Sequence, residues 1–153
     1  MAMLSTKMVA LVEDHWEQIT ARVIHFIRND PRLSHMGQLP ETELRDLGRR
    51  TLKNLGNWLA EASEAEVGRQ YEEIGRRRFH EGIPLHECVR CAHLFRERLV
   101  DFIREQGVAQ SSVDVFAEEE LEYRVGRFFD SLVYHVVKGY EHALRSDAAL
   151  NLA

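Results

Sequence analysis

Residues 71–103 read YEEIGRRRFHEGIPLHECVRCAHLFRERLVDFI. The segment divides at Gly82-Ile83-Pro84. Glycine takes the left-handed conformation that ends helices without a Cβ penalty. Proline keeps the residue before it out of helical geometry, and at a first helical position it gives up an amide that has no partner there anyway. One helix therefore ends just before Gly82 and another starts at Pro84, which makes a helical hairpin with a fixed corner. The same stretch holds both cysteines, three of the eight histidines and a run of three arginines, so candidate chemistry concentrates beside the corner.

Composition bounds the rest. A chain of 153 residues is expected to form one domain around one core, here residues 1–153 with an ordered part of about 5–146. The formal net charge of −5 argues against general nucleic-acid binding, which needs a basic face. Two cysteines do not make a disulfide framework, no signal peptide is visible, and no apolar run approaches the roughly 20 residues that span a bilayer. A cytoplasmic protein without membrane contact is the expectation. With 3 prolines, 9 glycines and no lasting strand-like alternation, the fold class is all-α: a bundle of about five helices.

The first helix is expected over residues 5–29, with Val12, Trp16, Ile19, Val23, Phe26 and Ile27 in one stripe. A polar connection over residues 32–39 follows. The second helix starts at Pro40-Glu41 with Leu44, Leu47, Thr51, Leu55, Trp58 and Leu59 inward; Gly48 in that stripe admits a close neighbour. Ser63 to Glu66 fits a capping box that starts the third helix, whose inward positions are Val67, Tyr71, Ile74 and Phe79. At about 100° per residue Arg78 falls in the same sector and needs a partner. Arg76 and Arg77 read as solvated, paired with Glu72, Glu73 or Glu81. The fourth helix covers residues 84–105 and stops at Gly107. The fifth and longest covers residues 113–145, with Leu121, Val125, Phe128, Phe129, Leu132, Val136, Tyr140 and Ala143 on one side. Tyr123, Tyr134, Val137 and Leu144 form a second apolar sector, expected to be a dimer interface. The tail from residue 146 is expected to fray.

HECVRCAH, residues 86–93, looks like a ligand set until it is wound on a helix. Cys88 and Cys91 then lie about 60° apart on the core side, while His86 and His93 share the opposite flank. One ion cannot collect all four, and both thiols sit beyond the first turn, where the helix dipole most lowers a thiol pKa. The cysteines therefore read as structural, and no metal site or cofactor is expected. Haem or a metal held by His80, His86 or His93 is the alternative, with His80 beside the corner the best single ligand. His135 and His142 read as flank residues. No serine or cysteine has a base and orienter, no glycine-rich phosphate loop follows a strand, and no paired ExxH motif marks a di-iron bundle. No catalytic residue is assigned. The candidate ligand-binding residues are Arg78, His80 and Tyr71, for a small molecule the sequence does not identify.

With the Tyr-x-x-x-Gly helix meeting a Gly-Ile-Pro-Leu corner, the Trp16 helix and the late FFDSLVYHVVKGYEHAL segment, residues 8–145 resemble the N-terminal helical domain of RsbT co-antagonist proteins of the RsbRD type. The resemblance implies a sensory or regulatory input domain of a bacterial stress-response pathway; the expectation drawn here is a non-enzymatic domain that acts through helix packing and protein partners and forms a homodimer partly through the second apolar sector of the fifth helix. Such domains precede an output module. A stand-alone member and an excised input domain are both compatible with the chain. Cys88 and Cys91 stand where the family has simple apolar side chains.

Overall fold

The structure is a computed structural model that describes residues 2–61, 64–106 and 112–152. Six α-helices appear among these residues: α1 (Ala2–Asp14), α2 (Trp16–Asn29), α3 (Glu41–Glu61), α4 (Glu64–His80), α5 (Leu85–Glu105) and α6 (Ser112–Leu152). Two single 3-10 turns, Pro31–Leu33 and Met36–Gln38, connect α2 to α3. The expected first helix is thus two. His15 takes φ −111° and ψ 23°, and its ring Nδ1 lies 2.8 Å from the Leu11 carbonyl oxygen. Main-chain bonds still run from His15 to Leu11 and from Ile19 to His15, so the axis kinks while the bonding continues. Phe26, expected inward, is 41% exposed and lies under the Arg98 guanidinium, 4.5 Å from its ring centroid.

The expected N-cap at Ser63 and the stop at Gly107 lie outside the described residues. The corner is described in full. Gly82 has φ +76°, its amide donates to the Phe79 carbonyl, and the Ile83 amide donates to the Arg78 carbonyl. This is a Schellman ending. Pro84 is the N-cap of α5, not its first helical residue: its ψ is 143°, and its carbonyl accepts from Glu87 and Cys88. Tyr140 of α6 locks the corner by donating its hydroxyl to the Ile83 carbonyl at 2.7 Å.

The core is continuous. Ile19, Leu33, Leu99, Phe102 and Phe128 are essentially inaccessible, and edge-on ring contacts link Trp58, Phe128 and Phe129. Two crossings are made close by glycine. Gly48 of α3 lies under the Thr20 side chain of α2, as expected from its place in the stripe. At the α4–α6 crossing a Cβ on Gly75 would strike the Val136 carbonyl oxygen, and one on Gly139 would strike the Glu72 carbonyl oxygen. Backbone meets backbone there. His135, expected at the solvent boundary, is half-buried over Gly68, with each ring nitrogen 3.8 Å from a carboxylate, Glu64 on one side and Glu72 on the other.

The expected frayed tail is helical to Leu152. Asp147, Ala148 and Ala149 extend a helix already nucleated, alanine has the highest helix propensity, and Asn151 bonds Asp147 one turn back. No helix among the described residues is long and apolar enough to cross a membrane.

Candidate functional site

α3, α4, α5 and α6 do not close fully on one another. Between them lies a cavity of about 50 Å³. Most of its wall is apolar: Leu47 from α3, Ile74 from α4, Ala92 and Phe95 from α5, and Phe129, Leu132 and Val136 from α6. Met36, on the second 3-10 turn, covers one side. The polar groups are few and each is placed by a helix. Thr51, Tyr71, Arg78, Cys88 and Cys91 complete the lining.

Arg78 is the charged member. It is 4% exposed, and Nη1 donates to Glu43 of α3 at 2.9 Å and to Glu81 at 2.8 and 3.1 Å. Burial opposes the charge, but the Glu43 and Glu81 carboxylates outweigh it and hold the guanidinium above its ordinary pKa. Its bonds to these two carboxylates run through Nη1, and the residue is also part of the cavity wall. Arg77 also reaches Glu43, at 3.3 Å, while Arg76 pairs with Glu73. Glu43, a partner the local sequence does not offer, thus joins the start of α3 to the end of α4.

Tyr71 is 2% exposed. Its hydroxyl donates to Thr51 at 3.4 Å and accepts from Asn54 at 3.3 Å. Burial raises its phenol pKa against the effect of those two bonds. Cys88 and Cys91 are free and buried. Burial pushes the Cys88 thiol up to about 11, partly offset by Arg78, and the Cys91 thiol up to about 12, reinforced by Cys88. Thiols so strongly protonated are poor nucleophiles.

Two of the three sequence-derived ligand residues, Arg78 and Tyr71, therefore meet at one cavity. The third, His80, is exposed, packs edge-on against Phe79 and does not reach the lining. His86 and His93 are exposed on the outer side of α5, as the helical winding requires. Phe79, expected inward, is half-buried beside Tyr140.

Sequence reasoning missed Glu87. Its carboxylate is 1% exposed and accepts from the amides of His35 at 2.9 Å and Met36 at 3.1 Å, with the His35 ring nitrogen Nδ1 at 2.6 Å. It caps the 3-10 turn that carries Met36 and so holds that side of the cavity shut. The core-facing Cys91, one turn further on and about 40° away around the helix, is the signal that Glu87 lies on the buried side of α5.

Fold and site define an all-helical domain with an internal, mostly apolar cavity, and no group of three or more His, Cys, Asp or Glu able to hold a metal occurs among the described residues. The chain belongs to the RsbT co-antagonist protein RsbRD N-terminal domain family, whose model matches residues 17–151. This is a family of regulatory domains in the stress response. The match begins just after the His15 kink and takes in nearly all of α6. Comparison with curated proteins and comparison with solved structures each return no match.

Proposed function

We propose that this domain is a non-enzymatic input module that reads a small molecule at the central cavity and reports it to a protein partner through the packing of α4 against α6, working as a cytoplasmic homodimer. The carrying observation is the buried, charged Arg78 on the wall of a cavity that α6 also lines. A change in cavity occupancy acts directly on the Gly75–Gly139 crossing, because Val136 belongs to both. The present volume admits only a few heavy atoms, against a cavity of about 150 Å³ that takes benzene. A larger occupant would displace Met36 and strain the turn that Glu87 holds. The outer face of α6, where Tyr123, Tyr134 and Leu144 are 59%, 61% and 49% exposed and Val137 half-buried, is the dimer face.

The test is native mass spectrometry of the purified protein for a retained small molecule, followed by thermal melts with a fragment library. Binding fragments should raise the Tm of the wild type and not that of Arg78→Met. Arg78→Met itself should cost about 1–3 kcal/mol, since charge-assisted bonds are lost but Glu43 and Glu81 remain partly hydrated. No retained molecule and no fragment that shifts the Tm would remove the cavity from consideration as a sensor.

A further inference from the structure

Sulfur is the metal ligand that the central cavity supplies. Cys88 and Cys91 of α5 and Met36 of the second 3-10 turn all line it, and all three are buried. Among the described residues the lining holds no histidine and no carboxylate. Its hydroxyls are engaged, that of Tyr71 with Thr51 and Asn54. Two thiols and a thioether suit soft ions, whereas calcium, magnesium and manganese take oxygen. Helical winding brings the thiols together. Residues three apart on a helix have Cβ atoms about 5–6 Å apart, and two sulfurs bound to one ion at about 2.3 Å each stand no more than about 4.6 Å from one another. The thiols are also close enough for the charge of one to act on the other, and the Arg78 guanidinium acts on both.

We infer that Cys88, Cys91 and Met36 form a site for one copper(I) ion in the central cavity. The inference rests on the reading of that cavity as the input site, and it names the input. Size favours a bare ion, since the cavity of about 50 Å³ is well below the roughly 150 Å³ that holds benzene. Coordination favours copper(I) over zinc. Structural zinc takes four ligands in a tetrahedron, and this wall offers three sulfurs. Two thiolates and one copper(I) leave one negative charge, which the buried Arg78 on the same wall offsets. Its partners Glu43 and Glu81 have side chains 28% and 30% exposed, so water screens them more than it screens the guanidinium. Binding is an exchange: each thiol gives its proton to solvent as its sulfur bonds the metal, and copper stays in the +1 state. The protonation of both thiols therefore sets the pH dependence of binding and does not forbid it. Met36 joins the site from outside α5, on a turn whose amide Glu87 holds.

Anaerobic competition of the full chain against bathocuproine disulfonate, a coloured copper(I) chelator, tests the site. One ion per chain should transfer to the protein. Cys88→Ser and Cys91→Ser should each weaken binding about a hundredfold or more, and Met36→Leu, close in volume, about tenfold. Because two protons leave, affinity should rise about 100-fold per pH unit between pH 7 and pH 9, and about tenfold in either single cysteine variant. The wild-type slope needs no variant, so it decides the matter where a serine disturbs the fold. X-ray absorption should show only sulfur around the copper. No transfer, binding that survives the Cys88→Ser/Cys91→Ser double change, a wild-type slope of one proton, or nitrogen ligands in the spectrum would overturn the proposal. Fragments that raise the Tm of a chain indifferent to copper(I) would also overturn it, while leaving the cavity as an input site. Copper(I) bound as described, with amide exchange in α4 and α6 unchanged, would uphold the site and overturn the input reading.

Discussion

Removing the Glu87 carboxylate would leave the main-chain amides of His35 and Met36 without an acceptor among the bonds described, the Met36 amide in a buried position and the His35 amide in a part-buried one. An unsatisfied buried donor costs about 1–3 kcal/mol. Glu87→Ala should therefore lower the unfolding free energy by about 3 kcal/mol in urea titrations, and Glu87→Gln by clearly less, since its amide oxygen can still accept from both. Equal losses for the two would mean that the negative charge, and not the acceptor, holds the turn. Arg78 and Glu87 show what a string of residues can disclose at this scale. The sector of Arg78 follows from helical winding around Tyr71 and Ile74, so its burial and its need for an acidic partner were legible. The identity of that partner was not. Glu43 and Glu81 are both acidic positions in an acid-rich chain, and nothing local singles out Glu43. Glu87 was hidden more completely: its partners are backbone amides 51 and 52 positions away, and an amide is present at almost every residue.

At the level of helices, the glycines carry the sharpest expectation. Alanine is favoured over glycine in a helix by about 1 kcal/mol, yet Gly75→Ala should destabilise by several kcal/mol. The added Cβ would meet the Val136 carbonyl and stand 2.8 Å from the Tyr140 amide nitrogen, and backbone, unlike a side-chain tip, cannot turn aside. Gly82→Ala, with nothing near the new Cβ, should cost only about 1–2 kcal/mol for the left-handed conformation. Thermal and urea denaturation of the two variants would rank them, and the reverse order would mean that α4 and α6 can part without penalty. The Gly82 corner was readable because glycine before a proline-headed helix has a local meaning. The Gly75–Gly139 crossing joins two positions far apart in the chain, and a glycine inside a helix does not say which helix it meets. The His15 kink was unreadable for a related reason: its i, i+4 bonding persists, so the apolar period runs through it. The tail is helical where fraying is expected because Ala148 and Ala149 have high helix propensity and no glycine or proline follows residue 145.

For the molecule as a whole, burying two thiols in the centre of the bundle ties stability to alkaline pH. In the unfolded chain a cysteine ionises near pH 8.5–9, whereas in the folded protein burial holds Cys88 up to about 11 and Cys91 up to about 12. Below about pH 8 both states keep their thiol protons, and the stabilising effect of neutral burial is fully present. Above it the unfolded chain releases protons that the folded chain retains. Each thiol then lowers the unfolding free energy by about 1.4 kcal/mol per pH unit until its folded value is reached. Tyr71 and Tyr140, whose phenols burial also raises, act in the same direction at higher pH. Urea denaturation repeated from pH 8 to pH 11 should therefore show a steep loss of stability, shallower in the Cys88→Ala/Cys91→Ala protein whatever its stability at neutral pH. The comparison of slopes separates ionisation from packing, since the lost contacts of a sulfhydryl group shift the whole curve without changing its pH dependence. Identical slopes would mean that the cavity is wet enough for the thiols to ionise in place. That outcome would also change the view of the site, because a thiolate beside Arg78 would be a nucleophile where the structure places an inert, protonated wall.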